Sequence, residues 1–362
     1  MRSFALLFAC AACAACSGLF GCSSGVDKTT VGGPLGDSGG ADHDTGSATD
    51  DTGPIAVDDS GGLVVTDATQ PETPQPAVTL IYAQTDTELY SMDPVTKIVT
   101  DIGAFTGNTG AITDLAVDAS GKLWVNSASA IYEVALPAGG KGPVACTLKT
   151  TLPSGTRFYA LGFVPAGVLG AGEALIAGDA AGDLYYVDTS GPSSTPLKLG
   201  GFGAWKSGDP APGKAGDFWS LSGDVVFYLE GTTPRGLATL RDCTTKSGTT
   251  SCNNTNDVLA EIDMVALAGA FGSKTAATTL RKQILGGGAQ HGHLFGIGAW
   301  EANVYAFSRN DTATSPSTPA KLLQIGSAGT ATELQSFPAI TAGWSGAGVT
   351  TKATITVLAP PM

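Results

Sequence analysis

Five short segments share one pattern: an apolar residue, a gap, a second apolar residue and then a turn. They read ELYSMDPVTK (88–97), AIYEVALPAG (130–139), DLYYVDTSGP (183–192), VLAEIDMVAL (258–267) and KLLQIGSAGT (321–330). A second set is built of smaller, mixed residues: ITDLAVDAS (112–120), FYALGFVPA (158–166), GDFWSLSGD (216–224), HLFGIGAWE (293–301) and ITAGWSGAG (340–348). Alternation sends successive side chains to opposite faces of a strand. Turn residues roughly every 8–12 positions keep such strands short. A chain that repeats itself this way is restricted to a few all-β repeat architectures.

The clearest unit, ITDLAVDASGKLWVNSASAIYEVALPAGG (112–140), reads as three strands with turns at Ala119–Gly121 and near Ser127. Anchoring the small-residue segments at Leu115, Leu161, Trp219, Phe295 and Ala342 gives spacings of 46, 58, 76 and 47 residues. A four-stranded propeller blade needs about 40–45. The third gap therefore carries an insertion, placed around 231–257. The last opening is followed only by strand-like KATITVLAPPM, and the first unit lacks a beginning. Joining the two ends completes one blade and protects open sheet edges. The expectation is an all-β β-propeller over 77–362, with about five four-stranded blades, or six if the long gap conceals another. An array of β-sandwiches is the alternative. Fifty glycines and 20 prolines against 14% charged residues favour turns and short strands over long helices.

Ahead of this body the texture differs. Ser3 to Val26 carries no charge, Arg2 precedes it and Asp27 is the first acid, which is the pattern of an export signal. Of its four cysteines, those at 10, 13 and 16 have the C-x₂-C-x₂-C spacing of part of an iron–sulfur ligand run, and Cys22 follows after five intervening residues. An apolar signal is the wrong context for ligands. An uncleaved anchor is the alternative, since about 20 apolar residues span a bilayer. Residues 23–76 hold ten acids and one base, Lys28, with almost nothing large and apolar to bury. Such a stretch is expected to stay disordered, as an acidic Gly/Asp/Thr-rich tether over 22–76. Asp42, His43, Asp44, Asp50 and Asp51 lack the ligand spacing of an EF-hand.

Leu19-Phe20-Gly21-Cys22 resembles a bacterial lipobox, which implies a lipoprotein signal peptide over 1–21 and a lipid on Cys22. Leu7-Phe8-Ala9-Cys10 is a rival match that follows too short an apolar run. Ser23 is not the Asp that retains lipoproteins at the inner membrane, so the resemblance implies an outer-membrane anchor, on the periplasmic or the cell-surface side. ITDLAVDASGKLWV and LYSMDPVTK resemble strand pairs of secreted β-propellers of the NHL, gluconolactonase-like and quinoprotein-repeat types. The gluconolactonase-like resemblance implies a channel calcium held by Glu, Asn and Asp. The matching positions here are mostly Ala, Gly, Leu and Ser; Asp114 and Asp118 are candidates by location, and Asp118 more simply caps a turn. Contacts of the quinone-dependent enzymes are not reproduced, and no cofactor is expected. Resemblance to the propeller lipoprotein of outer-membrane assembly implies surfaces offered to envelope proteins or glycans.

Few residues suggest chemistry. His291 and His293 flank one glycine and would share a strand face, weak metal candidates without a third ligand nearby. No G-x-S-x-G elbow or nucleotide-binding glycine loop occurs, and 201–216 reads as a surface loop. Trp205, Trp219, Trp300 and Trp344 suit blade packing better than a ligand face. Cys243 and Cys252 flank a polar loop and read as a disulfide in an exported protein, leaving Cys146 as a buried strand residue. A net charge of −13 argues against nucleic acid. These readings lead to a monomeric, lipid-anchored cell-envelope propeller acting as a non-catalytic binding or scaffolding module. A calcium-dependent lactone or ester hydrolase at the channel mouth is one alternative; a structural surface protein is another.

Overall fold

The computed structural model describes residues 79–211, 213–287, 291–301, 303–309, 319–326 and 329–353, with two short strands ahead of them. These, β1 (Ala56–Val57) and β2 (Leu63–Val64), pair antiparallel within a unit of their own spanning 1–73. The expected signal peptide, Cys22 and the rest of the expected tether lie outside the described residues.

The second unit, 74–362, is a five-bladed propeller of antiparallel sheets. Blade 1 runs β23 (Gly346–Val349), β3 (Ile81–Gln84), β4 (Glu88–Met92), β5 (Val99–Thr106) from the axis outward. Blade 2 is β6 (Ile112–Val117), β7 (Leu123–Ser127), β8 (Ala130–Ala135), β9 (Val144–Thr151). Blade 3 is β10 (Phe158–Val164), β11 (Ala174–Asp179), β12 (Asp183–Tyr186), β13 (Leu197–Gly201). Blade 4 is β14 (Phe218–Glu230), β15 (Thr233–Lys246), β17 (Val258–Ile262), β18 (Arg281–Gly287). Blade 5 is β19 (Leu294–Trp300), β20 (Asn303–Ser308), β21 (Ala320–Ile325), β22 (Ala331–Phe337). The first strands touch in a closed ring: β6 with β10, β10 with β14, β14 with β19, β19 with β23, and β23 with β6.

Closure uses both ends of the described body. β23 pairs with β3 in the register Gly346↔Gln84 to Val349↔Ile81, so the first blade borrows its innermost strand from the end of the chain. On the rim, β5 and β9 run parallel for two residues and join blades 1 and 2. Apolar clusters fill the seams between blades. Leu89 and Ile102 of blade 1 pack with Ile112, Leu115 and Tyr132 of blade 2; Ala116 and Ile131 of blade 2 pack with Phe158 and Leu175 of blade 3. Trp344 is fully buried and meets Tyr90, Phe307 and Phe337 edge-on at 5.1–5.5 Å. Trp219 is buried as well, and Trp205 and Trp300 pack against the core.

One turn sequence is used twice. In DASGKLW, the Asp118 carboxylate accepts from the amides of Ser120 and Lys122 at 2.8 and 3.0 Å and from the Trp124 indole at 3.2 Å. In DAAGDLY, Asp179 accepts from the amides of Ala181 and Asp183 and from the Tyr185 hydroxyl. Asp118 is thus a turn former, joining first and second strands, while Asp179 joins second and third.

Blade 4 accounts for the long gap without a sixth blade. β15 continues past the sheet and returns as β16 (Thr249–Cys252) through a turn with positive φ at Ser247 (52°) and Gly248 (81°). Cys243 and Cys252 face each other across this hairpin and are disulfide-bonded, with Cα atoms 4.0 Å apart. A helix, α1 (Met264–Ser273), then lies between β17 and β18; Asp263 caps it by accepting from the amides of Val265 and Ala266. The helix falls just after the 231–257 stretch and begins inside the segment read as strand followed by turn (258–267), running on past it to Ser273. Cys146 lies buried in β9, where desolvation pushes its thiol up to about 11.

Candidate binding site at the channel mouth

Every blade sends a residue to one end of the axis. The cavity there, about 360 Å³ in volume, is lined by Asp86 and Ser345 of blade 1, Ala111–Thr113 of blade 2, Tyr159 and Ala180 of blade 3, Leu221–Gly223 and Arg241 of blade 4, and Phe295 and Arg309 of blade 5. These positions are the starts of first strands and the links between second and third strands, so the mouth follows directly from the propeller connectivity. Further along the axis the space narrows to about 10 Å³ between Val117, Gly162, Val226, Ile297 and Gly348. Close approach of neighbouring first strands requires glycine at Gly223: a Cβ there would run into the Phe295 backbone.

A pair of fully buried acids stands between the two spaces. Asp114 on β6 accepts from its own neighbour, the Leu115 amide (2.8 Å), and from the Leu161 amide of blade 3 (2.5 Å). Asp224 on β14 repeats the arrangement, accepting from Val225 (2.6 Å) and from Ile297 of blade 5 (2.8 Å). The two carboxyl groups lie within hydrogen-bonding reach of each other, and burial holds both well above the usual carboxylate range. Each carboxylate ties its blade to the next, and together they plug the axis.

The wall of the mouth holds two further acids, each already engaged. The Ser222 hydroxyl donates to Asp257, which also accepts from the Leu294 amide at 2.7 Å. Burial pushes the Asp257 carboxyl up to about 7, against the pull of those two donors. On the opposite side Asp86 accepts from the Ser345 hydroxyl and pairs with the Arg309 guanidinium at 3.3 Å.

Of the residues singled out by sequence, Asp114 reaches the axis, but as half of a buried pair rather than an open ligand. Among the described residues no group of three His, Cys, Asp or Glu side chains is arranged to hold a metal. His291 and His293 precede β19 instead of lying in it, and His293 has a left-handed φ of 55°, so strand alternation does not place their rings together. The His293 ring stacks on Phe295 at 5.3 Å, and burial lowers the His291 pKa. Asp224, Asp257 and Arg241 were not anticipated. A β-bulge between Leu221 and Val225 displaces the axis-facing part of β14 beyond Trp219, the residue used as its anchor. The signal present in the sequence was the match of Asp-Val-Val at 224–226 to Asp-Leu-Ala at 114–116.

No family model and no curated protein matches the chain. Similar solved structures do exist. One is a protein of unknown function from Bacteroides caccae, 9% identical, covering 75% of this chain and 99% of that one with a TM-score of 0.38. A second is the β-propeller domain of Cps50 (Swd1) from Myceliophteria thermophila, 11% identical, covering 72% and 83% with a TM-score of 0.35. A chain of the mitotic checkpoint complex is 10% identical, covering 75% and 82% with a TM-score of 0.33.

Proposed function

We propose that this is a lipid-anchored protein of the bacterial outer membrane whose propeller binds a ligand at the channel mouth without transforming it. One observation carries the binding reading: a cavity assembled from all five blades, in which each acid is already held by a backbone amide, a hydroxyl or a guanidinium. General acid–base chemistry needs a carboxyl free to exchange a proton with substrate. Asp114 and Asp224 are fully buried below the cavity, and Asp257 sits behind Ser222. The anchor rests on the resemblance of Leu19–Cys22 to a lipobox, and the acidic stretch behind it serves as spacer. Envelope proteins and glycans are the partners such an address offers, with the propeller acting as a monomer.

Native mass spectrometry of the protein extracted from envelopes in mild detergent reads both parts. The expected mature chain begins at Cys22 with a lipid adduct, and carries a non-covalent ligand that Ala180→Trp, which fills the mouth, abolishes. An unlipidated chain beginning elsewhere overturns the address; a ligand retained equally by the Ala180→Trp protein overturns the site.

A further inference from the structure

The mouth contains two arginines in different situations. Arg309 is occupied with Asp86 and Ser345. Arg241, at the outgoing end of the sheet portion of β15, donates from Nη1 to the Asn254 side chain at 3.0 Å. Among the described residues its buried Nε has no hydrogen-bond partner, and no described ion pair includes it. The carboxyl whose charge it feels, Asp257, accepts from Ser222 and the Leu294 amide through Oδ2, and its buried Oδ1 makes no described hydrogen bond to Arg241 or to any other group. A buried donor on a charged group with nothing to accept from it is costly, and a ligand acceptor removes that cost. The side of a guanidinium that carries Nε is also one that grips a carboxylate with two parallel bonds.

The remaining wall is largely carbon. Ala111, Ile112, Leu221, Tyr159 and Phe295 line the cavity around this unpaired donor. A mostly apolar cleft of a few hundred Å³ with a few oriented polar groups is the ordinary shape of a small-molecule site. We infer that the mouth takes a small organic carboxylate with an apolar, ring-bearing body, its anionic end on Arg241 and its ring between Tyr159 and Phe295. This rests on the binding reading above and adds the chemical class of the ligand.

The test uses 3-phenylpropionate and its neutral analogue 3-phenylpropanamide as probes, titrated calorimetrically into the full-length protein. The acid is expected to bind at least tenfold tighter than the amide. Arg241→Gln should remove that preference, and Arg241→Lys, which keeps the charge and loses the fork, should retain part of it. Unliganded melting temperatures confirm that the variants fold, and Arg157→Gln, outside the cavity, should bind the acid as the parent does. Equal binding of acid and amide, or an Arg241→Gln protein that binds the acid unchanged, overturns the carboxylate inference and leaves a binding mouth standing. Binding of neither probe overturns the inference too, while the envelope-extract measurement with Ala180→Trp decides the binding reading separately.

Discussion

Single side chains set the pH response of this propeller. Asp257 has its proton affinity raised by burial to about 7 from an ordinary value of 3.8. Between those values the folded protein keeps a proton that the unfolded chain releases. Stability from this group is therefore complete at low pH, falls as pH rises through 7, and levels off beyond it. The slope can reach about 1.4 kcal/mol per pH unit for one proton. Other carboxylates, such as Glu133 beside Lys122 and Lys149, are shifted down and pull the total the opposite way. The informative quantity is thus a difference. Relative to Asp257→Asn, wild-type stability from urea unfolding should decline from about pH 5 to 7, flatten between about 7 and 8, and run parallel above about pH 8. Parallel curves across the whole range would remove Asp257 as a titrating group.

At the level of strands and hairpins, much of the molecule was legible because the signals are local. The five apolar-gap-apolar segments all fall on third strands: β4, β8, β12, β17 and β21. Each of these strands buries its apolar residues, among them Leu89, Ile131, Leu184, Leu259 and Leu322, so the pattern survives without reference to its neighbours. First strands were less secure. Their character comes from crowding at the axis, and the β14 bulge moved the equivalent of Asp114 from the Trp219 region to Asp224. The site was harder still to read. Asp114, Asp224 and Asp257 find partners in other blades or across the axis, and no spacing within one segment encodes those contacts. The helix α1 was missed although its cap is local: Asp263 precedes an Ala-rich run, but the preceding strand pattern ran straight into it. The disulfide hairpin was recoverable from two cysteines and a polar loop. Replacing both Cys243 and Cys252 with serine should cost about 2–3 kcal/mol by the loop-entropy argument. Equilibrium unfolding measures this, and an unchanged midpoint would show that the hairpin is held by its strand pairing alone.

For the molecule as a whole, the decisive element is β23. It supplies four residues, all buried, and without it blade 1 ends on the exposed backbone of β3 beside the axis. A chain ending at residue 345 should lose the single cooperative unfolding transition and form higher-order species by size-exclusion chromatography, since a bare strand edge recruits other strands. A truncated protein that stays monomeric and melts in one step would mean that the ring closes through side-chain packing alone. The same strand imposes an order in time. Blades 2 to 5 are complete in sequence before Gly346 is reached, so they can form as the chain emerges, whereas blade 1 waits for the last described strand. Synthesis must therefore reach Gly346–Val349 before the ring can lock, and a chain stalled short of that strand is held in an open, unlatched form.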